Sequence, residues 1–365
     1  MAFLDFFVYN NEVWFIDFFS GELCCYSLTE QRILSVVCLP HVGNKENYRA
    51  IYIVNDKVYI APLFAENLIV YDIYSNRMES ISLKRSIRDE RPNYLEIIKN
   101  DDSLYLLPMD AKNIVRVDIN NNQTEFFDIT LHENDREAFS DRHFFNKGCF
   151  VNGIIYLPSC RQNKILCFDI NTRVFRWADV QDDSLDGFRS CSYAEGHFVL
   201  ITHDGNQAIF LNDNFDLSSS LEVKDKSINS VDVSLHDKIF HIGCESDGIV
   251  EVIDTCKRKI TPHMFDLGRN NLLPTNNFVF AAKVNENELW LFSSSQQALC
   301  IFDEYGKQIE KYAICVNEEC KRLLLKGRIR KLFADRQYKD KEIIEETTFY
   351  PLDVFMGTLI YEGED

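Results

Sequence analysis

The chain is built from a unit of about 46 residues that occurs seven times, and this repeat limits the folds open to it. In each copy a large apolar residue is preceded, four and three positions earlier, by a pair of polar or turn-forming residues. These anchor residues are Trp14, Tyr59, Tyr105, Tyr156, Val199, Phe240 and Trp290, with spacings of 45, 46, 51, 43, 41 and 50 residues. A repeat of this length is typical of propellers and related arrays, in which each copy is one supersecondary unit. We therefore expect one domain over residues 1–314, although the length of 365 residues would otherwise indicate two or three.

The position 13 residues after each anchor forms a second repeated column that supports the same register. It is occupied by Ser27, Asp72, Asp118, Asp169, Asn212, Ile253 and Asp303. Five of these seven residues are Asp or Asn, and Asp254 directly follows the exception. Because Asp and Asn side chains accept hydrogen bonds from the backbone of tight turns, this column predicts a turn at the same place in each copy.

Each copy contains four short extended segments separated by turn signals. In the fourth copy they are HFFNKGCFV, GIIYLP, KILCFDI and VFRWADV, of which the first two join at Asn152-Gly153. Asx-Gly pairs tolerate positive φ and favour hairpins, and the segments are rich in β-branched and aromatic residues but too short for buried helices. The sequence therefore predicts an all-β fold, a seven-bladed β-propeller of four-stranded antiparallel blades. The blades are expected at roughly 2–39, 47–83, 93–129, 143–180, 187–223, 228–267 and 277–314.

Residues 144–180 and 93–129 resemble the blades of Kelch-type propellers. The shared features are a tyrosine followed shortly by a proline, as at Tyr156 and Pro158, an Asn near an Ile, and the triplet Asp169-Ile170-Asn171. Leu157-Pro158 and two equivalent pairs replace the Gly-Gly doublet of a Kelch blade. WD40 repeats fit no better, because Gly196-His197 is the sole Gly-His pair and the chain has no Trp-Asp pair. The resemblance implies the propeller fold, and no functional residue is carried over from it.

Residues 315–365 form a C-terminal extension that we expect to contain a helix and an extended segment. The apolar residues Leu324, Leu325, Ile329, Leu332 and Phe333 follow a helical spacing that Gly327 interrupts. Lysines and arginines are concentrated between them. The helix either packs on the side or base of the propeller or docks a partner or an anionic surface, with single-stranded nucleic acid as the weakest alternative. We expect the ring to close without strand exchange; the alternative is that TTFYPLDVFMGTLIY supplies an extra strand.

Composition bears on location and partners. With 39 basic and 57 acidic residues the net charge is -18, which disfavours nucleic acid as a partner. The twelve cysteines are scattered without C-x-x-C spacing, as expected for core thiols in a reducing compartment, so we predict a cytoplasmic protein. The N-terminus does not resemble a signal peptide, and no uncharged run is long enough to predict a membrane span. The sequence leaves the oligomeric state open.

A binding site is expected where longer, variable loops meet the ends of the innermost strands. In a propeller the loops between second and third strands share one face with the loops that join blades; we call it the loop-rich face, and the tight Asx turns lie opposite. The candidate binding residues on the loop-rich face are Tyr48, Arg49, Arg91, Tyr94, His143, Arg161, Arg189 and His203. Arginines at the channel mouth would bind a carboxylate or an acidic peptide through bidentate hydrogen bonds. The alternative is that the aromatic residues pack between blades and the arginines are solvated or paired locally. The loop from Ser159 to Lys164 is a further candidate.

Two classes of function are compatible with this sequence. The first is a non-catalytic scaffold that binds a protein or peptide through the loop-rich face, with the tail as a second contact. The second is a hydrolase or lyase acting on a small or carbohydrate-like substrate at the mouth of the axial channel. The enzyme hypothesis requires inward-facing Asp, Glu or His in a pocket of about 300–1,000 Å³. Since the chain has no recognised catalytic motif, we expect no catalytic residue, metal or cofactor and favour the scaffold.

Overall fold

A computed structural model describes residues 3–41, 46–88, 91–129, 144–180, 185–212, 214–224, 230–243, 249–265, 281–293 and 296–333. Within them the chain forms seven four-stranded antiparallel sheets, and each sheet uses four strands that are consecutive in the chain. The seven-bladed β-propeller predicted from the repeat is therefore confirmed. None of the described helices is long and apolar enough to cross a membrane.

The strands are numbered in chain order, four to a blade, so that β1, β5, β9, β13, β17, β21 and β25 are the first strands. Blades 1 to 3 comprise β1 Phe3–Tyr9, β2 Glu12–Asp17, β3 Leu23–Ser27, β4 Arg32–Val37; β5 Tyr48–Val54, β6 Lys57–Pro62, β7 Asn67–Asp72, β8 Arg77–Ser82; β9 Tyr94–Asn100, β10 Ser103–Pro108, β11 Asn113–Asp118 and β12 Thr124–Asp128. Blades 4 and 5 comprise β13 Cys149–Val151, β14 Ile154–Pro158, β15 Lys164–Asp169, β16 Val174–Asp179; β17 Phe188–Ala194, β18 His197–Thr202, β19 Gln207–Leu211 and β20 Leu217–Glu222. Blades 6 and 7 comprise β21 Ser230–Leu235, β22 Lys238–Gly243, β23 Ile249–Asp254, β24 Lys259–Met264; β25 Ala282–Asn285, β26 Glu288–Ser293, β27 Ala298–Phe302 and β28 Gln308–Ala313.

The hydrophobic core is divided into seven clusters, one at each junction between neighbouring blades. All seven anchor residues of the repeat lie on the second strand of their blade and are buried. At the junction of blades 1 and 7, for example, Phe3 stacks between Phe15 and Phe292, with ring centroids 3.7 and 3.8 Å away. Both faces of a blade are covered by its neighbours, which explains why second strands such as β10 are buried along their whole length.

The turns confirm the role of the second repeated column. In every blade an Asp, Asn or Ser side chain at the end of the third strand accepts a hydrogen bond from the backbone of the following turn. The pairs of acceptor and N–H donor are Ser27 and Glu30, Asp72 and Ser75, Asp118 and Asn120, Asp169 and Asn171, Asn212 and Asn214, Asp254 and Lys257, and Asp303 and Tyr305. In blade 6 it is Asp254, one position after the column, that makes the bond, as a one-residue shift of the repeat predicts.

The hairpins between first and second strands use residues with positive φ, as the Asx and Gly signals predict. Asn152 has φ 50° and Gly153 has φ 79°, and the equivalent residues of the other blades include Asn55 and Asp101. Such turns match the right-handed twist of paired strands and set the register of each hairpin. They form the face opposite the loop-rich face.

A single described helix, α1 (Glu318–Phe333), follows blade 7 and packs on blade 1. The side chain of Asn317 accepts a hydrogen bond from the Cys320 N–H at 2.8 Å and so caps its N-terminus. Cys320 and Leu324 are buried in the cluster shared by blades 1 and 7. The helix therefore packs on the side of the propeller, where it covers the seam between the first and last blades. The alternative extra strand in TTFYPLDVFMGTLIY lies outside the described residues.

The far end of α1 is fixed to blade 1 through the buried carboxylate of Glu22. This carboxylate pairs with Arg330 and accepts hydrogen bonds from the Leu39 N–H at 2.6 Å and the His41 ring at 3.2 Å. Lys331 donates to the Phe18 carbonyl at 2.9 Å. At least two of the basic residues of the extension thus meet the propeller itself rather than an external partner.

Candidate functional site

A cavity of about 340 Å³ lies on the propeller axis and is lined by the inner segments of all seven blades. In blades 1 to 5 the lining residues lie toward the start of the first strand, the end nearest the loop-rich face, whereas in blades 6 and 7 they extend to Ser234 and Val284, one residue before the strand ends. Each blade contributes one charged residue to the wall, namely Asp5, Arg49, Glu96, Lys147, Arg189, Asp232 and Lys283. This charged ring has four basic and three acidic members, although the chain as a whole has a net charge of -18.

β-Bulges place three members of the charged ring. The register of the first and second strands shifts between Phe3 and Phe6, between Tyr48 and Ile51, and between Phe188 and Ser190. Asp5, Arg49 and Arg189 lie inside these irregular stretches. A bulge interrupts the regular alternation of side chains and re-aims one of them, which is why bulges are common beside functional sites.

Asp5 and Lys283 are paired with each other across the junction of blades 1 and 7. Lys283 Nζ lies 2.9 Å from Asp5 Oδ1, which also accepts the Phe6 N–H. Asp5 Oδ2 accepts the Ile51 N–H of blade 2 at 2.9 Å. The Asp5 carboxylate therefore links three successive blades of the ring.

Asp232 is held by His241, which lies behind it on β22. Its Oδ1 is 2.6 Å from His241 Nδ1, and Lys147 donates to the Asp232 carbonyl. Burial favours the neutral carboxyl, but His241 and the nearby Lys147 outweigh burial and keep the pKa of Asp232 below its ordinary value. His241 is completely buried and does not line the cavity.

Arg189 is anchored to the β18–β19 loop of its own blade. Its Nη2 donates to the His203 carbonyl at 2.7 Å. Gly205 makes room for the guanidinium, because a Cβ at that position would lie 2.9 Å from Arg189 Nη1. Its φ of +71° also favours glycine.

Arg49 and Glu96 are the least satisfied members of the charged ring. The Arg49 guanidinium lies 3.9 Å from Glu46, which is an ion pair beyond hydrogen-bond distance. Glu96 Oε2 is buried and makes no hydrogen bond within the described part of the chain. Burial raises the pKa of Glu96, and Lys147 and Lys283 oppose this only in part. The two groups come from neighbouring blades, yet they are not paired with each other.

Two thiols complete the wall between blades 4 and 5. Cys149 Sγ and Cys191 Sγ are 3.5 Å apart. The hydrogen bond between them and the burial of the thiol raise the pKa of Cys149 well above its ordinary value. A raised pKa is the opposite of what activates a cysteine nucleophile, so Cys149 is not a candidate for nucleophilic catalysis.

The predicted binding residues fall into four groups. Arg49 and Arg189 line the cavity, and the His203 carbonyl positions Arg189. Tyr48 and Tyr94 are buried, and burial raises the pKa of both phenols, as expected for residues that pack between blades. His143 lies outside the described residues.

Arg91 and Arg161 lie on the loop-rich face between blades 3 and 4, away from the cavity wall. Arg91 Nε is 3.5 Å from the buried Asp110 carboxylate. Arg161 is 6% exposed, and its Cζ lies 3.9 Å from the centre of the Phe144 ring. The loop from Ser159 to Lys164 connects β14 and β15 of blade 4 and contacts blade 5, since the Ser159 carbonyl accepts a hydrogen bond from the Phe188 N–H at 2.7 Å.

Five cavity residues were missed in the sequence: Asp5, Glu96, Lys147, Asp232 and Lys283. The one sequence signal is a charged residue within an apolar first strand, as Asp5 in the β1 sequence FLDFFVY, and its position in the strand varies from blade to blade. The described residues contain no group of three or more His, Cys, Asp or Glu able to hold a metal ion.

Comparison with known proteins identifies the fold but no family. No family model and no curated protein matches the chain. A structure of a catalytically inactive virginiamycin B lyase from Staphylococcus aureus with quinupristin is 10% identical, with a TM-score of 0.60 over 80% of this chain and 91% of that one. A streptogramin B lyase is 12% identical, with a TM-score of 0.56 over 76% and 86%. The WD40 repeats of RRP9 are 10% identical, with a TM-score of 0.56 over 86% and 91%. At these identities the likeness extends to the propeller fold and not to function.

Proposed function

We propose that the protein is a non-catalytic binding module that recognises a carboxylate-bearing protein or peptide at the axial cavity. The observation that carries this proposal is the charged ring, in which basic residues outnumber acidic ones on a strongly acidic chain. Arg49 is the member best suited to bind a ligand, since Glu46 at 3.9 Å only weakly neutralises its guanidinium. A planar guanidinium binds a carboxylate through two parallel hydrogen bonds.

The arrangement of the acidic residues favours binding over catalysis. Acid–base chemistry needs a group free to gain and lose a proton at the reacting atom. Asp5 is held by Lys283 and two backbone N–H groups, and Asp232 is held by His241. Both carboxylates therefore stabilise the ring of blades. The WD40 structures among the fold neighbours are compatible with a scaffold, and the likeness to Kelch-type blades stays a prediction.

An enzyme is the second candidate, and Glu96 is the residue that supports it. A carboxyl group with a raised pKa in a cavity of about 340 Å³ is a typical general acid. Some of the fold neighbours are lyases. The other acidic residues of the cavity wall, Asp5 and Asp232, are paired. Glu96 would therefore have to act as both general acid and general base.

The proposal is tested by retention of the purified chain on immobilised random hexapeptides that are rich in Asp and Glu and have a free C-terminal carboxylate. We expect the double variant Arg49→Gln and Arg189→Gln to lose at least tenfold in affinity, since a charge-assisted hydrogen bond contributes about 1.5–3 kcal/mol. The matched control replaces the exposed Arg77 and Arg258, which lie outside the cavity, with Gln. Equal retention of both double variants would remove the cavity from the proposal, and absence of any retention would refute the proposal.

Cytoplasmic location and a single protein or peptide partner remain part of the same proposal. Nucleic acid is disfavoured because the molecule has a net charge of -18. Increasing salt should weaken peptide binding, as expected for an ion pair with the partly exposed Arg49 side chain.

A further inference from the structure

We infer that the group received by the cavity is the free C-terminal residue of the partner, with its α-carboxylate on Arg49 and its backbone N–H donated to Glu96. This inference rests on the proposed function and adds the identity of the bound group. It depends on two adjacent members of the charged ring: Glu96, whose Oε2 has no hydrogen bond among the described residues, and Arg49, whose ion pair with Glu46 is 3.9 Å long.

Glu96 requires a hydrogen-bond donor that the described residues do not provide. Its Oε2 is buried without a hydrogen bond among the described residues. Buried polar atoms are nearly always hydrogen-bonded, and an unsatisfied one is costly. A ligand that supplies a donor at this position would remove that cost on binding.

The charges around Glu96 favour a neutral donor over an ammonium group. Lys147 and Lys283 are both close enough to act on the Glu96 carboxyl electrostatically, and Asp5 is the other charged group near it. Lys283 is paired with Asp5, whereas Lys147 donates to a backbone carbonyl and retains its charge. A third cation placed there would be repelled by Lys147. An amide N–H donates a hydrogen bond without adding charge.

A C-terminal residue combines the two groups that Arg49 and Glu96 need. Its α-carboxylate and its N–H are attached to the same Cα atom, so both can reach groups on the neighbouring first strands β5 and β9, which pack against each other. In an internal Asp or Glu residue, one or two methylene groups separate the side-chain carboxylate from the Cα atom that carries the N–H, so the two groups do not have this spacing. Glu96 therefore distinguishes a chain end from an internal acidic residue.

The size and position of the cavity agree with a chain end. Its volume of about 340 Å³ is at the lower end of the range for ligand pockets, which fits one or two residues and excludes a folded element. In five of the seven blades the lining residues lie toward the loop-rich face, from which a partner would approach.

Three pools of immobilised hexapeptides test the inference with the purified full chain. The first pool has neutral random residues and a free C-terminal carboxylate, the second has the same residues and a C-terminal amide, and the third is rich in Asp and Glu and amidated. We expect retention on the first pool to exceed that on the second at least tenfold. If only the third pool retains the protein, the inference is overturned while the proposed function stands. If none of the three pools retains it, the proposed function fails as well.

Substitutions of Glu96 give the second readout. We expect Glu96→Leu, which removes the acceptor, to reduce the retention on the free-carboxylate pool about tenfold. We expect Glu96→Gln, which keeps a side-chain oxygen as acceptor, to retain more of the binding than Glu96→Leu. Glu310→Leu on the outer strand β28 is the control for a lost negative charge, and thermal melts establish that each variant is folded. Unchanged binding by Glu96→Leu would overturn the inference.

Discussion

At the scale of single residues, the charged ring contains members with opposite effects on stability. Glu96 is buried at its Oε2 atom without a hydrogen bond in the described chain, whereas Asp232 is buried with a close partner. Because a buried charge is costly unless it is paired, the first should destabilise the fold and the second should stabilise it. The pKa values of the two carboxyl groups shift in opposite directions accordingly.

We predict that Glu96→Gln stabilises the protein at neutral pH by about 1 kcal/mol. The folded-state pKa of Glu96 lies above its ordinary value of 4.5, so its contribution to stability falls as the pH rises from 4.5 through the folded-state pKa. The wild type and the variant should therefore have similar melting temperatures near pH 4 and diverge above it. Melting curves between pH 4 and pH 8 measure this difference, and a variant less stable than wild type at pH 8 would contradict it.

We predict the opposite pH dependence for Asp232→Asn. The pKa of Asp232 is lowered from its ordinary value of 3.8 in the fold, so its stabilising contribution is complete above that value and is lost as the pH falls through the folded-state pKa. The variant should lose about 3 kcal/mol at pH 7, as expected when one partner of a buried pair is removed. The deficit should shrink on acidification below pH 4. Chemical denaturation at pH 7 measures the loss of stability, and the same measurement at pH 3 tests whether the deficit shrinks.

At the scale of secondary-structure elements, α1 depends on a glycine where it crosses blade 1. A Cβ on Gly327 would lie 2.6 Å from Glu22 Oε1 and 3.0 Å from the Ser20 Cβ. Both Ser20 and Glu22 are fully buried, so neither has space to move away. Gly327 interrupts the apolar spacing of the sequence, and the structure shows the physical reason, which is close approach of the helix to the propeller.

We predict that Gly327→Ala lowers the stability of the protein although alanine favours helix formation. Alanine should gain about 1 kcal/mol in helix propensity but lose more through the clash with Glu22 and the disturbed pair with Arg330. The control Arg322→Ala changes an exposed residue of the same helix and should have an effect below about 0.5 kcal/mol. Hydrogen exchange of α1 measures the local effect. Slower exchange of the helix in Gly327→Ala would show that the predicted clash does not occur.

At the scale of the whole molecule, the repeat made the fold predictable but left most of the site hidden. The anchors and the turn column recur once in each blade because every blade must bury the same second strand and close the same turn. The charged ring has no such constraint. Asp5 and Arg49 lie in bulges, and Asp232 and Lys283 occupy other positions on their strands. Each blade contributes one residue to the charged ring, and the seven residues come together only when the propeller closes. No motif of fixed spacing marks them in the sequence.

The ring closes at the seam between blades 1 and 7, which α1 covers. The first and last blades meet through side-chain packing, to which α1 adds Cys320 and Leu324, and through a backbone hydrogen bond from the Ile33 N–H of β4 to the Cys315 carbonyl at 3.1 Å. We predict that a chain ending at residue 314 is less stable than one ending at residue 333 by roughly 3 kcal/mol, the value expected for two buried apolar side chains. Thermal melts of the two chains measure the loss, and hydrogen exchange locates it. Exchange should increase most in β4, which α1 contacts, while β10 and β18 serve as internal controls. A uniform increase across all blades would mean that α1 stabilises the ring as a whole and has no special role at the seam.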